Sequence, residues 1–329
     1  LGLQNSLGLN NLRLLNHMTA AGSTAAQMVQ YASLAIAAGM ANHVVCVFAD
    51  NPLTEGKSSG SSYGGASRMP SRPQGVGGLY QHAGFFGPNT SYALACSRHM
   101  ELYGTTHDQL GAIAVAERAW AVKNPRAQMR EPMTMEMYHA SRWIVEPLHL
   151  LDCCLVSNGA VAVIVSSAER AGDMKAPPVY VLGMGQGHPG DPLRAGSDWE
   201  TETGAKIAAR TVFSMAGLGP SDMTQLQLYD CYTYTVLVTL EDYGFCAKGE
   251  GGPFVADGKL GPGGSLPTNT GGGELSGYYM WGMTPLSEAV IQGRGQGGER
   301  QQPNDSILCT GNGGILNYHG ALILSPNRS

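Results

Sequence analysis

Charge is scarce in this chain of 329 residues: Asp, Glu, Lys and Arg make up only 14% of it. Its 20 Lys and Arg stand against 25 Asp and Glu and form no basic cluster, which disfavours a nucleic-acid partner but leaves single arginines free to hold a cofactor phosphate. No apolar run approaches the roughly 18 residues of a membrane span, and no charged, apolar, small-residue signal opens the chain. A soluble, cytoplasmic protein is expected. The seven cysteines (Cys46, Cys96, Cys153, Cys154, Cys231, Cys246 and Cys309) are odd in number and never spaced as paired C-x-x-C knuckles, so neither a disulfide framework nor a metal site is indicated. The opening "LGLQNSLGLNNLRLL" reads as the middle of a fold, and its first elements are expected to lie upstream.

What is present is an alternation of strands and helices. "HVVCVFAD" (43–50) and "GAVAVIVSS" (159–167) read as buried strands, with helices between them at "SYALACSRHMELYG" and at "TTHDQLGAIAVAERAWAVKNP", the latter capped by Thr106 and stopped by Pro125. After "KAPPVYVLGMGQG" come a helix at "ETGAKIAARTVFSMAGL", a strand at "TQLQLYD", helices at "YTVLVTLEDYGF" and "TPLSEAVIQG", and closing strands "DSILCT" and "GALILSP". Two α/β halves follow, 1–175 with a loop region at about 51–150, and 176–329. Each is expected to hold a largely parallel sheet, stacked as a five-layered α/β/α/β/α body. The Gly, Ser and Pro-rich segment 51–90 is too long for a plain connector and reads as a lid or a partner-docking surface.

Three stretches bear on chemistry. In "HMTAAGSTAAQM" a helix start carries Thr19, Ser23 and Thr24 beside the small residues Ala20, Ala21 and Gly22, an arrangement suited to a developing oxyanion or simply to a capped, tightly packed helix. In "LQLYDCYTYTV" a strand ends where a helix begins. This places Tyr229, Asp230, Cys231 and Tyr232 at the sheet edge where ligands of α/β proteins gather. In "PTNTGGGELSGYYMWGMTPLSEA" three glycines precede Tyr278 and Tyr279. The closing "CTGNGGILNYHGALIL" joins two strands through Gly311, Gly313 and Gly314 and carries Tyr318 and His319; it reads equally as a plain hairpin.

These stretches together resemble the thiolase superfamily, in particular its sterol carrier protein x branch, over almost the whole chain. Family members place a nucleophilic cysteine just before "A-[TS]-G-S-T-A", and here "TAAGSTA" puts Thr19 at that position. The branch motif "HDCF" stands as "YDCY", with Tyr229 at the histidine and Cys231 at the cysteine. "GGL-x-S-x-GHP-x-G" stands as "GGELSGYYMWG", with Tyr279 at the second histidine. "RLLDC" and "SDGAAA" are echoed by "HLLDCC" and "SNGAVA".

The departures decide what the resemblance implies. Threonine is a poor nucleophile without an adjacent base, so acyl transfer through position 19 is disfavoured. Phenols at both histidine positions still donate hydrogen bonds and exchange protons. A retro-aldol needs the enolate of a CoA thioester but no acyl-enzyme, and the chain resembles the aldolase members of the branch, found in actinobacterial sterol degradation. They cleave a 17-hydroxy C22 steroid side-chain CoA thioester to a 17-keto steroid and propionyl-CoA.

The resemblance implies Tyr229 and Tyr279 as the acid/base pair, with Thr19, Asp230, Cys231, Tyr318 and His319 as helpers. Backbone donors are implied at Gly22, Gly311, Gly313 and Gly314. It further implies no intrinsic cofactor, CoA only as part of the substrate, a homodimer, and a small zinc-ribbon/OB-fold accessory subunit attached to a hydratase. Two alternatives remain open: a thiolase-fold acyltransferase using Cys231 or Cys309, and a non-catalytic acyl-CoA-binding or scaffold subunit.

Overall fold

The computed structural model of the chain describes residues 2–56, 78–79, 82–85, 87–190 and 201–328. In chain order its main elements are α1 (Thr24–Ala37), β1 (His43–Asp50), α2 (Pro88–Tyr103), α3 (His107–Val122), α4 (Met135–Ala140), β2 (Trp143–Val145), β3 (Leu148–His149), β4 (Gly159–Ser166) and β5 (Tyr180–Gly187). There follow α5 (Ala205–Ala216), β6 (Gln225–Gln227), α6 (Thr233–Asp242), a turn of π-helix over Gly273–Gly277, α7 (Met283–Gly293), β7 (Ile307–Gly313) and β8 (Tyr318–Ser325). Most of the segment 51–90, read as a lid or docking surface, lies outside the described residues.

Local sequence explains the boundaries. Thr106 and Gln109 form a reciprocal capping box at the start of α3, which satisfies two amides that a helix N-terminus otherwise leaves open. Pro88 opens α2 at a position where its missing N–H costs nothing, and Gly104 closes it in the left-handed conformation (φ 72°).

β1 and β4 pair antiparallel in the register Cys46↔Val163, and the second sheet has the order β5-β8-β7-β6. The expectation of a largely parallel sheet is corrected here. β6 and β7 are parallel, but β8 runs antiparallel to both β7 and β5, so three strands share a direction and one reversed strand is inserted among them. The cause is the connection: residues 314–317 between β7 and β8 are far too few for the dozen or so residues of a parallel crossover.

Helix α1 packs on β1 and β4 from one side and on β7 and β8 from the other, and α7 lies beside it against β4, β6, β7 and β8. The core of this middle layer is Ala25, Ala26, Val29, Cys46, Met283, Leu286, Cys309 and Leu322. A second core joins α2, α3, α5 and α6 to the sheet, with α5 covering β5 and β8 on the far face. Four of the five expected layers are thus built by the described residues. The outer face of the β1–β4 pair, where the fifth would lie, presents Val45 at 50% and Ile164 at 63% exposure.

Candidate active site

β6 stops at Gln227, three residues earlier than the strand read from the sequence, because the chain then turns to other partners. The Leu228 amide donates to Asn269 Oδ1 (2.7 Å), and the Tyr229 amide to Thr310 Oγ1 (3.3 Å). α6 begins at Thr233, whose hydroxyl donates to Asp152 (2.6 Å). Asp152 belongs to "HLLDCC" and also accepts from the Tyr138 hydroxyl (2.9 Å) and the His149 amide (2.7 Å). Two residues further on, the Cys154 amide donates to the Cys231 carbonyl (3.0 Å). That motif is therefore the brace of the Tyr229–Tyr232 turn.

The second tyrosine is held by equally local means. Asp230 Oδ2 accepts the amides of Glu274 (2.6 Å) and Leu275 (2.9 Å) and so ties the π-helical turn to the first stretch. The Tyr279 amide donates to Ser157 Oγ (2.8 Å), which comes from "SNGAVA". The outcome is a direct contact: the hydroxyls of Tyr229 and Tyr279 lie 3.1 Å apart. Burial pushes both phenols well above the ordinary tyrosine range, helped at Tyr229 by Tyr279 and Glu274 and at Tyr279 by Cys154 and Glu274. Both are therefore protonated at neutral pH. They can pass protons but do not stand ready as tyrosinates.

Thr19 departs from expectation. The helix begins only at Thr24, and Thr19 lies upstream of it with an exposed side chain. At the helix start, Ser23 donates to the Ala20 carbonyl (2.8 Å) and Thr24 Oγ1 takes the Ala20 amide (2.7 Å) while donating to the Ala21 carbonyl (2.6 Å). The same turn recurs before α7, where the Met280 amide donates to Thr284 Oγ1 (2.9 Å). Ala21 and Trp281 both have positive φ (49° and 51°), and each is followed by glycine, Gly22 and Gly282. Thr19 and Tyr279 thus hold equivalent places in two copies of one turn, and Tyr279 makes the hydroxyl contact with Tyr229.

Gly22 sits where these parts converge. A Cβ there would lie 2.1 Å from Tyr229 Cζ and 2.4 Å from the Asn312 carbonyl, and one on Gly282 would lie 2.1 Å from the Gly22 carbonyl. Gly311 and Gly313 are likewise explained by close crossing: their Cβ atoms would meet the Gly22 carbonyl at 2.5 Å and the Ala20 carbonyl at 2.4 Å. Both belong to paired strand β7, so the hairpin reading holds for them, and Gly314 (φ 58°) opens the turn.

Two expected helpers are elsewhere. Gly320 faces Ala26 and Ser23 of the α1 side, so strand alternation sends its neighbour His319 to the opposite face, where its Nε2 meets the Tyr243 hydroxyl (2.9 Å). Burial pushes His319 down to about 3, and it is neutral. Tyr318 is 46% exposed and meets the His188 ring edge-on. Asp230 acts on backbone amides, as above.

Burial pushes the Cys231 and Cys309 thiols well up, which removes the thiolate a nucleophile needs. Cys309 is moreover packed in the middle-layer core, away from the phenols.

Sequence reading missed two carboxyls. Glu117 of α3 and Glu274 are both buried beside Asp230, close around Gly273, whose added Cβ would meet Asp230 Oδ2 at 2.2 Å and Glu117 Oε2 at 2.6 Å. Burial and the Asp230 charge push both upward, while Asp230 itself is pushed up to about 6 by burial. A signal for Glu274 was present: it stands where "GGL-x-S" has leucine. Glu117 carried none, since one acidic residue on a helix is ordinarily exposed.

The chain is similar to known proteins over most of its length. The family described as thiolase C-terminal domain-like matches residues 185–326. A steroid side-chain-cleaving aldolase of Thermomonospora curvata is 39% identical over 98% of this chain and 83% of its own length. The 17-hydroxy-3-oxo-4-pregnene-20-carboxyl-CoA lyase of Mycobacterium tuberculosis is 36% identical over 94% of this chain and 81% of its own. Among solved structures, an Ltp2-ChsH2(DUF35) aldolase superposes with a TM-score of 0.87 at 35% identity, covering 99% of this chain and 84% of that one.

Proposed function

The chain belongs to the thiolase superfamily, in the branch that holds the steroid side-chain-cleaving aldolases, and from that premise we propose that it cleaves a β-hydroxyacyl-CoA by retro-aldol. The substrate is a 17-hydroxy C22 steroid side-chain CoA thioester, and the products are a 17-keto steroid and propionyl-CoA. The observation that carries this reading is the hydrogen-bonded phenol pair, beside which burial holds the Cys231 thiol in its protonated form.

Retro-aldol cleavage moves one proton from the β-hydroxyl to the α-carbon. The O–H electron pair becomes the new C=O bond, and the C–C pair becomes the thioester enolate. One phenol accepts the hydroxyl proton and passes its own proton to the second, and the second protonates the α-carbon. Both end as they began, so the pair needs no net charge and no external base. An enolate formed against preorganised donors is stabilised by several kcal/mol, with a single donor worth about 3 kcal/mol.

The enzyme takes no cofactor of its own in this reading, and CoA arrives with the substrate. The chain divides near Ala176 into two halves, with Gly22 brought to the site by the first and both tyrosines by the second. Likeness to the Ltp2-ChsH2(DUF35) aldolase supports an accessory partner. We take that partner to be a zinc-ribbon/OB-fold subunit attached to a hydratase, joined to a cytoplasmic homodimer. No helix among the described residues is long and apolar enough to cross a membrane.

The test is to incubate the protein, alone and with a co-expressed accessory subunit, with the 17-hydroxy C22 steroid CoA thioester and no free CoA. Propionyl-CoA and the 17-ketone are expected in equal amounts. An acyl-enzyme trapped on Cys231, or a bound but uncleaved thioester in both preparations, would reject the proposal.

A further inference from the structure

Glu274 is a buried carboxyl without a partner among the described residues: it is 0% exposed, and neither of its carboxyl oxygens has a hydrogen-bond partner there. Burying a polar group unpaired costs on the order of 1–3 kcal/mol, more if it is charged, so its presence calls for a reason other than stability.

Its backbone ties it to Asp230, the neighbour of Tyr229. Its amide donates to Asp230 Oδ2 (2.6 Å), and its carbonyl accepts the Leu155 amide (2.9 Å). Cys154 and Cys231, themselves joined by a backbone hydrogen bond of 3.0 Å, stand beside it. A charge on Glu274 acts on Tyr229, Tyr279, Cys154 and Cys231 alike. The carboxyls facing it are Asp230 and, on α3, Glu117. Arg118, next along α3, is turned away to Ser276 Oγ (2.9 Å) and the Glu131 carbonyl (3.3 Å), so no cation compensates the group among the described residues. These acidic side chains are not arranged to hold a metal ion either, among the described residues.

Building on the retro-aldol reading, we propose that Glu274 is a positioning residue that acts through the phenols: as a neutral carboxylic acid it keeps negative charge away from the Tyr229–Tyr279 pair, and its ionisation stops the proton relay. While a proton is in transit, one phenol oxygen carries excess negative charge. A second anion buried beside the pair opposes that, because Coulomb repulsion between buried groups is little screened. Asp230 does not play this part, since two amides already absorb its charge. Burial and Asp230 hold the Glu274 carboxyl well above the usual carboxylate range, in line with the neutral form at pH 7. As pH rises through that shifted value, the neutral form is lost.

The test is the pH profile of kcat/KM for steroid thioester cleavage from pH 6 to 10, in wild type and in Glu274→Gln, which is neutral at every pH. Wild type is expected to lose tenfold or more towards pH 10, and Glu274→Gln less than threefold. Glu274→Leu, with the leucine of the family pattern, should share the flat profile and serves if the Gln variant does not fold. Infrared spectra of the substrate-free protein should show an un-ionised carboxylic acid C=O band that Glu274→Gln removes and that fades at alkaline pH.

The inference is overturned by identical profiles in wild type and folded variants, by a wild-type profile flat to pH 10, or by absence of the band. Loss of turnover at every pH in folded variants also overturns it, because the carboxyl would then take part in the chemistry directly. A wild-type enzyme that cleaves nothing rejects the retro-aldol reading instead, and the infrared result still decides the state of Glu274.

Discussion

The phenol oxygens of Tyr229 and Tyr279 lie 3.1 Å apart although 50 residues separate them in the chain. One is held at the end of β6 by Thr310 and α6, the other by Ser157 and the π-helical turn, so neither depends on the other for its place.

Removal of either hydroxyl should therefore break the relay without disturbing the fold. Tyr229→Phe and Tyr279→Phe are each expected to lower kcat by roughly a hundredfold, the equivalent of about 3 kcal/mol. The double variant should be little worse than either single one, as residues acting as a unit are not additive. Steady-state kinetics together with thermal melts check both points. Near-normal turnover in the singles would reject the pairing.

Gly22→Ala gives a second, steric route to the same hydroxyl. Its Cβ would stand 2.1 Å from Tyr229 Cζ, so the ring or the turn must shift. A loss of about 1–3 kcal/mol in stability is expected, with turnover reduced in the surviving folded fraction. Denaturant titration and active-site-normalised kinetics separate the two effects.

Thr19 and the buried thiols should prove dispensable as nucleophiles. Thr19 is exposed, and Thr19→Ala is expected to retain turnover within about twofold, like other surface changes of small energetic effect. All seven cysteines are free, yet Cys231 and Cys309 should resist iodoacetamide at pH 8 in the native protein and react once it is unfolded. Peptide mass mapping reads the labelling. Rapid native labelling of Cys231 would revive the acyltransferase reading.

Asp230 should leave a mark on stability that runs opposite to most carboxylates. Burial pushes it up to about 6 from an unfolded value of 3.8, so the folded state binds its proton more tightly. Its contribution is most favourable at low pH and is lost as pH rises from about 4 through 6, a change on the order of 3 kcal/mol. Asp230→Asn keeps an oxygen to accept the Glu274 and Leu275 amides but has no such titration. Its stability relative to wild type should therefore rise over that interval, as urea melts at several pH values would show.

The local order of the chain was legible from its residues. β1 and β4 fall where β-branched runs were read, α3 starts behind Thr106, and the motif order identified the superfamily and singled out two tyrosines that the fold brings into contact. These features rest on interactions within a few residues, which periodicity and capping chemistry report directly. Tertiary structure alone decided the place of β8 between β5 and β7, the meeting of His319 with Tyr243, and the burial of Glu117 and Glu274 around Gly273. Each of these depends on which segments meet across tens or hundreds of residues. A one-residue alternation along β8 sends His319 to Tyr243 and leaves Gly320 to face α1, and no reading of "YHG" by itself distinguishes those two faces.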